Sequence, residues 1–406
     1  MKKNIGIFFG GRSVEHEISI ISALQVIKAI DKNKYNVVPI YVAQDGVWYT
    51  NKYYWLTNLE NYWNQKQQLK NCTKIIPSLD SKIGVLLSYP KGLFRRSKVV
   101  AKLDAAFPVF HGAYGEDGCF QGVFDVMNIP YVSSNVVSSA VCMNKTLTKE
   151  ICQAIQIPII EFCRINADLW AKDQNACLQN IKKVLKFPVI VKPNDLGSSI
   201  GVSKANNETD LINAIDVVTA YSNDVLIERC VTAIKEVNCS VAETTNGVEV
   251  SECEEPIIAN DNFLSFNEKY LPKDNSTSEG MASATRKIPA EISDTMKKEI
   301  QEYSTKIFEH LGCSGVVRID FIIDTEKNKV YLNEINTIPG SLAFYLWEAS
   351  NKTFETLITE LIENAIKKFV RNSNLRKDNK LGLNVLFGKG GKLGGKLGGK
   401  LSIKLG

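Results

Sequence analysis

Two strand-like segments towards the end of this 406-residue sequence carry most of its legible chemistry. In GVVRIDFIID and KVYLNEIN, residues two apart share a face of an extended chain. Arg318 and Asp320 therefore lie on one face of the first segment, and Glu334 and Asn336 on one face of the second. A turn over TEKNK, between Asp324 and Val330, would set Asp320 opposite Glu334. Facing carboxylates weaken a hairpin unless a cation bridges them, and hard oxygen donors of this kind suit Mg²⁺ that also holds nucleotide phosphates. The pattern predicts a clamp for Mg²⁺; the alternative is a sheet face on which Arg318 neutralises both acids. A second group is cationic: Lys192 ends the apolar run FPVIVK, and NDLGSSIG follows it with backbone N–H and hydroxyl donors able to fold over phosphates. A Gly/Ser turn also joins strands for purely structural reasons. No GxxxxGK[ST] occurs, which excludes a Walker P-loop, and GIFFGGRS lacks the GxGxxG spacing of a dinucleotide fold.

The elements that must position these residues follow from periodicity and turn chemistry. KNIGIFFGG reads as a buried strand ending on paired glycines, after which Ser13 should cap a helix bearing Ile18, Ile21, Leu24, Ile27 and Ile30. With the strand NVVPIYV behind it, this unit predicts an N-terminal Rossmann-like α/β domain with a parallel sheet, over 1–133. Residues 51–100 read as an inserted excursion. Residues 134–226 should form a small central domain carrying the Gly/Ser loop, with a helix from about Glu208 and the strand DVLIERC. Residues 227–370 should form a third domain: two strands, a polar loop from about Asn260 to Ser283, a helix from about Glu291 to Leu311, the hairpin, and a closing helix through Phe354, Leu357, Leu361 and Ile366. The fold class expected is mixed α/β and α+β in three domains.

Composition is that of an ordinary globular protein, 44% apolar and 23% charged. The net charge of +5 is unevenly spread: from Arg371 onward nine basic residues face one acid, a net +8 that leaves −3 for the residues before it. The repeated KLGG units there cannot bury a core, so 371–406 is expected to be a flexible basic tail. Its lysines lack interleaved aromatics and would give only nonspecific attraction to nucleic acid. Ten scattered cysteines with no CxxC, and only three histidines, predict reduced thiols and no zinc site. No apolar run of membrane-spanning length or secretory h-region is present, so the chain is expected to stay in the cytoplasm.

Taken in order, FFGGRSVEHEIS, FPVFHGAYGEDGCFQG, MNK, VIVKPNDLGSSIGVSK, EKY, GVVRIDF and LNEINTIPG resemble the D-alanyl-D-alanine ligase family, a branch of the ATP-grasp superfamily, across residues 1–370. The resemblance implies a three-domain ATP-grasp architecture and ATP-dependent joining of two D-alanines through an acylphosphate, for peptidoglycan precursors. It implies phosphate binding by Lys145, Lys192 and, on loop closure, Lys269; adenine and ribose binding by Glu228 and Glu236; and metal ligation by Asp320, Glu334 and Asn336, with two Mg²⁺ and Mn²⁺ as a substitute. It further implies that Glu15 holds the first substrate's ammonium within a network with Ser198 and Tyr270. His111 would lie near that substrate's carboxylate, and Arg318 with the Gly340 N–H would stabilise the oxyanion. A homodimer is the expected assembly.

One departure stands out. The family follows the glycine of NTxPG with Thr and then Ser, which meets the second substrate's carboxylate, whereas Gly340 here precedes SLAFYLW. Ser341 or Tyr345 are the candidates to replace it, and D-serine or D-lactate remain alternative acceptors. A non-catalytic nucleotide-binding protein is the rival from another class; the set Lys192, Arg318, Asp320, Glu334 and Asn336 argues against it, because a binder needs no metal clamp.

Overall fold

A computed structural model describes residues 1–51, 69–79, 84–90, 96–257 and 286–374. Met1–Ile366 make one compact unit, and Lys367–Gly406 a second, of which only residues to 374 are described. The expected polar loop at 260–283 and most of the basic tail lie outside the described residues.

The N-terminal sheet has seven strands: β1 (Lys3–Gly10), β2 (Tyr35–Val42), β3 (Trp48–Thr50), β4 (Thr73–Pro77), β5 (Val85–Ser88), β6 (Val99–Lys102) and β7 (Ala105–Pro108). They lie in the order β6-β5-β4-β3-β2-β1-β7. Only β2, β1 and β7 are parallel; the strands of the supposed excursion extend the same sheet antiparallel. The sheet is thus mixed, not wholly parallel, with β3–β6 paired antiparallel beyond β2. Helix α1 runs His16–Ala29, two residues later than a Ser13 cap implies. The Ser13 hydroxyl instead accepts the N–H of Glu15 at 3.0 Å, inside the turn that leads into the helix.

The second sheet has four strands, β8 (Phe162–Asn166), β9 (Val189–Pro193), β10 (Ser203–Ala205) and β11 (Asp224–Arg229), in the order β10-β9-β11-β8. Val189, Val191, Val225 and Ile227 point into a core with Ala205 and Val218. Alternation then turns Ile190, Lys192, Leu226 and Glu228 to the opposite face. The third sheet, β14-β13-β12-β15-β16, is built from β12 (Ile234–Thr244), β13 (Gly247–Pro256), β14 (Arg286–Lys287), β15 (Val316–Asp324) and β16 (Lys329–Asn336). Its apolar face packs Val237, Val241, Val317, Ile319 and Phe321 against Ile300, Ile307 and Phe308 of the helix Asp294–His310. The same core takes Cys142, Cys152 and Ile157, from or just beyond the helices Val136–Met143 and Lys145–Ala154.

Beyond the third sheet the chain crosses back. Ile338, Leu342, Trp347, Phe354, Leu357 and Leu361 share one buried cluster with Ile5, Phe9, Ala23 and Val26. The turn after β16 is thereby fixed against the N-terminal sheet. Ser341, Leu342 and Ala343 all hold left-handed backbone, at φ 53°, 52° and 49°. Three such non-glycine residues in succession cost about 1–2 kcal/mol each, which the burial of Leu342 and Ala343 must offset.

Candidate active site

In the hairpin, Asp320 faces Glu334 and Arg318 faces Asn336, as anticipated, but the turn closes one residue tighter, with Asp324 facing Lys329 rather than Val330, and a register shift between Asp320 and Phe321 makes up the difference. Arg318 and Asp320 are buried and joined by a two-pronged ion pair, Nε to Oδ1 at 2.6 Å and Nη2 to Oδ2 at 2.7 Å. The Asn336 amide donates to Asp320 Oδ2 at 3.0 Å. Arg318 thus neutralises one acid, and the guanidinium is held firmly charged by it despite burial. Glu334 lies 3.8 Å from the Lys145 ammonium instead. Among the described residues no three His, Cys, Asp or Glu side chains converge as a self-sufficient metal site. Two opposed carboxylates and an amide still fit Mg²⁺, which commonly takes one or two protein carboxylates and completes its shell with water and phosphate oxygens.

Across from this hairpin stands the polar face of the four-stranded sheet. Lys192 Nζ meets Glu228 Oε2 at 2.6 Å and the Asn333 side-chain oxygen at 3.2 Å, which ties β9 to β16. Lys145, at the start of its helix, donates to the Leu196 carbonyl at 2.6 Å. Burial lowers its pKa and Glu334 opposes that shift. The Gly/Ser loop is docked rather than loose: Asn194 Oδ1 accepts both the N–H and the hydroxyl of Thr146, and the Ser198 hydroxyl donates to Glu15 Oε1. A small cavity of about 30 Å³ remains between the sheets, lined among others by Glu116, Lys145, Gly197, Glu334, Asn336 and Thr337.

On the N-terminal side, Gly112 has φ +74°, and a Cβ there would lie 2.4 Å from Ser13 Oγ and 2.6 Å from Glu15 Oε2. Only glycine lets the His111 turn approach Glu15 so closely. His111 is buried, with Nδ1 2.9 Å from the Ile338 carbonyl and Nε2 2.9 Å from Ser22 Oγ. Burial lowers its pKa to about 4, so the ring is neutral. Nδ1–H then donates to Ile338, Nε2 accepts the Ser22 hydroxyl, and Ser22 Oγ accepts the Ser341 N–H at 3.0 Å. The ring therefore spends both nitrogens aligning the 338–341 turn that carries Gly340, itself buried at the turn's start.

Four residues escaped the sequence reading. Lys149, fully buried, meets Glu228 Oε1 at 2.5 Å, so the proposed adenine acceptor sits between two ammonium groups. Burial alone would raise the Glu228 pKa; Lys149 and Lys192 hold it at about 2. Lys149 follows Lys145 by one helical turn, a spacing that could have flagged it. Glu116 accepts the Gly112 N–H at 2.7 Å and the Ile338 N–H at 3.2 Å; burial first, then Glu15, push its pKa up to about 8. Glu254 and Arg286 gather around Tyr345, whose hydroxyl donates to Glu254 Oε1 at 3.2 Å. That bond takes up the hydroxyl proton with which Tyr345 would have met a substrate carboxylate. The Ser341 hydroxyl has no partner among the described residues. Glu236 lies on β12 opposite Ile322, two residues from Asn238 and on the same face. Tyr270 and Lys269 fall outside the described residues.

Two sheets facing each other across buried lysines and a carboxylate hairpin, with a mixed N-terminal sheet closing one end, define the ATP-grasp class of ATP-dependent, ADP-forming ligases. Family models for the D-ala D-ala ligase N-terminus and C-terminus match residues 4–134 and 151–363. The D-alanine–D-alanine ligase of Thermosipho melanesiensis is 41% identical over 369 residues, 90% of this chain and 94% of its own length. Among solved structures, the D-alanine-D-alanine ligase of Coxiella burnetii has a TM-score of 0.73 at 29% identity, covering 92% of this chain and 96% of that one. The VanG D-Ala:D-Ser ligase of Enterococcus faecalis has a TM-score of 0.74 at 28% identity, covering 90% and 100%. The chain belongs to the D-alanine–D-alanine ligase family, which uses ATP with a divalent metal. Among the described residues no helix is long and apolar enough to cross a membrane.

Proposed function

We propose that this chain joins two D-alanines to D-alanyl-D-alanine, releasing ADP and phosphate, as a step in peptidoglycan precursor synthesis. The observation that carries the reading is the meeting, around one cavity, of Glu116, Lys145, Gly197, Glu334 and Asn336, residues from all three sheet regions, with Ser198, next to Gly197, bonded to Glu15. In this reading Glu15, steadied by Ser198, pairs with the ammonium of the first D-alanine, whose carboxylate attacks the γ-phosphate of ATP. Lys145 and Lys192 offset phosphate charge, and alignment with charge neutralisation supplies most of what such a transfer needs. Asp320, Glu334 and Asn336 would hold Mg²⁺, two ions in the fullest arrangement, and the metal would supply further neutralisation of the phosphates. The amine of the second D-alanine then attacks the acylphosphate. Its C–N bond forms as the carbonyl oxygen becomes an oxyanion beside Arg318 and the Gly340 N–H, and the C–O bond to phosphate breaks as the oxyanion collapses.

D-Alanine as acceptor is supported by relatives named for it at 34–41% identity. A D-Ala:D-Ser ligase is as similar in fold as the D-alanine-D-alanine ligase of Coxiella burnetii. The test is phosphate release from Mg-ATP with D-alanine, against L-alanine and against Asp320→Asn. D-specific release matched by dipeptide and lost in the variant supports the reading. Release only after D-serine or D-lactate is added moves the acceptor assignment, and silence with all three overturns the ligase.

A further inference from the structure

Lys149 carries a buried charge that the ligase reading leaves unused. It follows Lys145 by one turn of the helix Lys145–Ala154, and none of its side chain reaches water. Its ammonium meets Glu228 Oε1 at 2.5 Å, and neither atom has another hydrogen-bond partner among the described residues. Burial lowers the Lys149 pKa, and the Glu228 carboxylate opposes that shift. Glu228 Oε2 is taken by Lys192 at 2.6 Å. The pairing of β11 with β9 sets Leu226 opposite Lys192, so Glu228, two residues along, shares a face with it.

The two lysines on this carboxylate differ in what else they reach. Lys149 reaches only Glu228. Lys192 also meets the side-chain oxygen of Asn333, the residue before Glu334. Lys145 acts on the same group: it stands 3.8 Å from Glu334, feels the Lys192 charge, and lines the cavity with Glu334. The ammonium groups of Lys145, Lys149 and Lys192 thus face the carboxylates of Glu228 and Glu334, which leaves one positive charge in excess. Arg318 and Asp320 are paired with each other. Asp195 also acts on Lys145, but it is exposed and water screens it. A buried charge in excess is costly until an anion arrives, so the cluster favours one. Without Lys149, two ammonium groups and two carboxylates would balance, and Glu228 would pair with Lys192 alone.

Resting on the ATP-binding part of the ligase reading above, we propose that Lys149 is a positioning residue for ATP: by neutralising Glu228 it leaves the charge of Lys192 to the phosphates.

The experiment compares the binding of Mg-ATP with that of adenosine, by calorimetry for the first and by competition against it for the second, with no D-alanine present. Adenosine keeps the base and ribose and has no charge, so contacts at the adenine end cancel in the ratio of the two affinities. Phosphate release by the unaltered enzyme with Mg-ATP and D-alanine tests the ligase reading by itself, so the two can fail separately. In Lys149→Met the affinity for Mg-ATP should fall at least about tenfold, the scale of one unit charge acting on phosphates across a partly buried site, while that for adenosine stays within about twofold. The double variant Lys149→Met with Glu228→Gln restores the excess charge without restoring the contact, and its ratio should return to within about threefold of that of the unaltered enzyme. A variant that is only less stable moves neither ratio, because both ligands are measured on the same folded sample. An unchanged ratio in Lys149→Met, or a ratio that stays low in the double variant, would overturn the proposal and leave Lys149 as a structural counter-ion of Glu228.

Discussion

Lys149→Met removes one of two cations from a carboxylate that has almost no access to water. Lys149 is fully buried, and the Glu228 side chain is 4% exposed with Lys149 at 2.5 Å and Lys192 at 2.6 Å. The two lysines hold Glu228 at about 2. Against an ordinary Glu near 4.3, that is roughly 3 kcal/mol of stability at neutral pH. Opening a buried ion pair costs about 3–5 kcal/mol when the survivor is left uncompensated. Lys192 stays in place, so Lys149→Met falls at the low end, near 3 kcal/mol, or a melting temperature about 6 °C lower. The folded pKa of Glu228 lies below its unfolded value. Its stabilisation is therefore complete above about pH 4.3 and is lost as the pH falls through about 2, so the difference between variant and unaltered enzyme should narrow in acid. Thermal melts at pH 7 and pH 3 read this directly. The double variant Lys149→Met with Glu228→Gln removes both charges and should recover about 1–3 kcal/mol relative to the sum of the single changes. A Lys149→Met melt within about 2 °C of the unaltered enzyme, or strict additivity in the cycle, would refute the reasoning.

Gly112→Ala forces a methyl group into the space of Ser13 Oγ and Glu15 Oε2 at φ +74°. It should cost about 1–2 kcal/mol in backbone strain and, by moving Glu15, about 100-fold in D-alanine-dependent phosphate release; an unchanged rate would show that Glu15 is not set by this approach. His111 has a folded pKa of about 4, below the ordinary value near 6.5, so its contribution to stability is complete above about pH 6.5 and is lost as the pH falls towards 4. Imidazole NMR signals of His111 should show a neutral ring with Nδ1 protonated down to about pH 5, and titration close to 6.5 would contradict the Ile338–His111–Ser22 chain.

What the sequence determined by itself is local. Period-two alternation put Arg318 with Asp320 and Glu334 with Asn336, and the pairing of Asp320 with Glu334 was anticipated, although the turn closes one residue tighter than expected and a register shift beside Asp320 restores it. The alternation of FPVIVK likewise sent Lys192 away from the core shared by Val189 and Val191. The family motifs also gathered the right neighbours in one case beyond local reach, the bond between Glu15 and Ser198.

Tertiary structure alone decided the partners of buried charges and the course of the chain between sheets. Ser198 meets Glu15 across 183 positions, His111 meets Ile338 across 227, and Ser341 meets Ser22 across 319, separations at which no periodicity speaks. Nothing in LWEASNKTFETLI says that Trp347, Phe354 and Leu357 pack with Ile5 and Phe9 rather than with the sheet that precedes them. Lys149, Glu116, Glu254 and Arg286 looked like ordinary charged residues because charge in sequence carries no record of burial. Each became notable only once folding had removed water and left the neighbouring side chains as the sole means of compensating it.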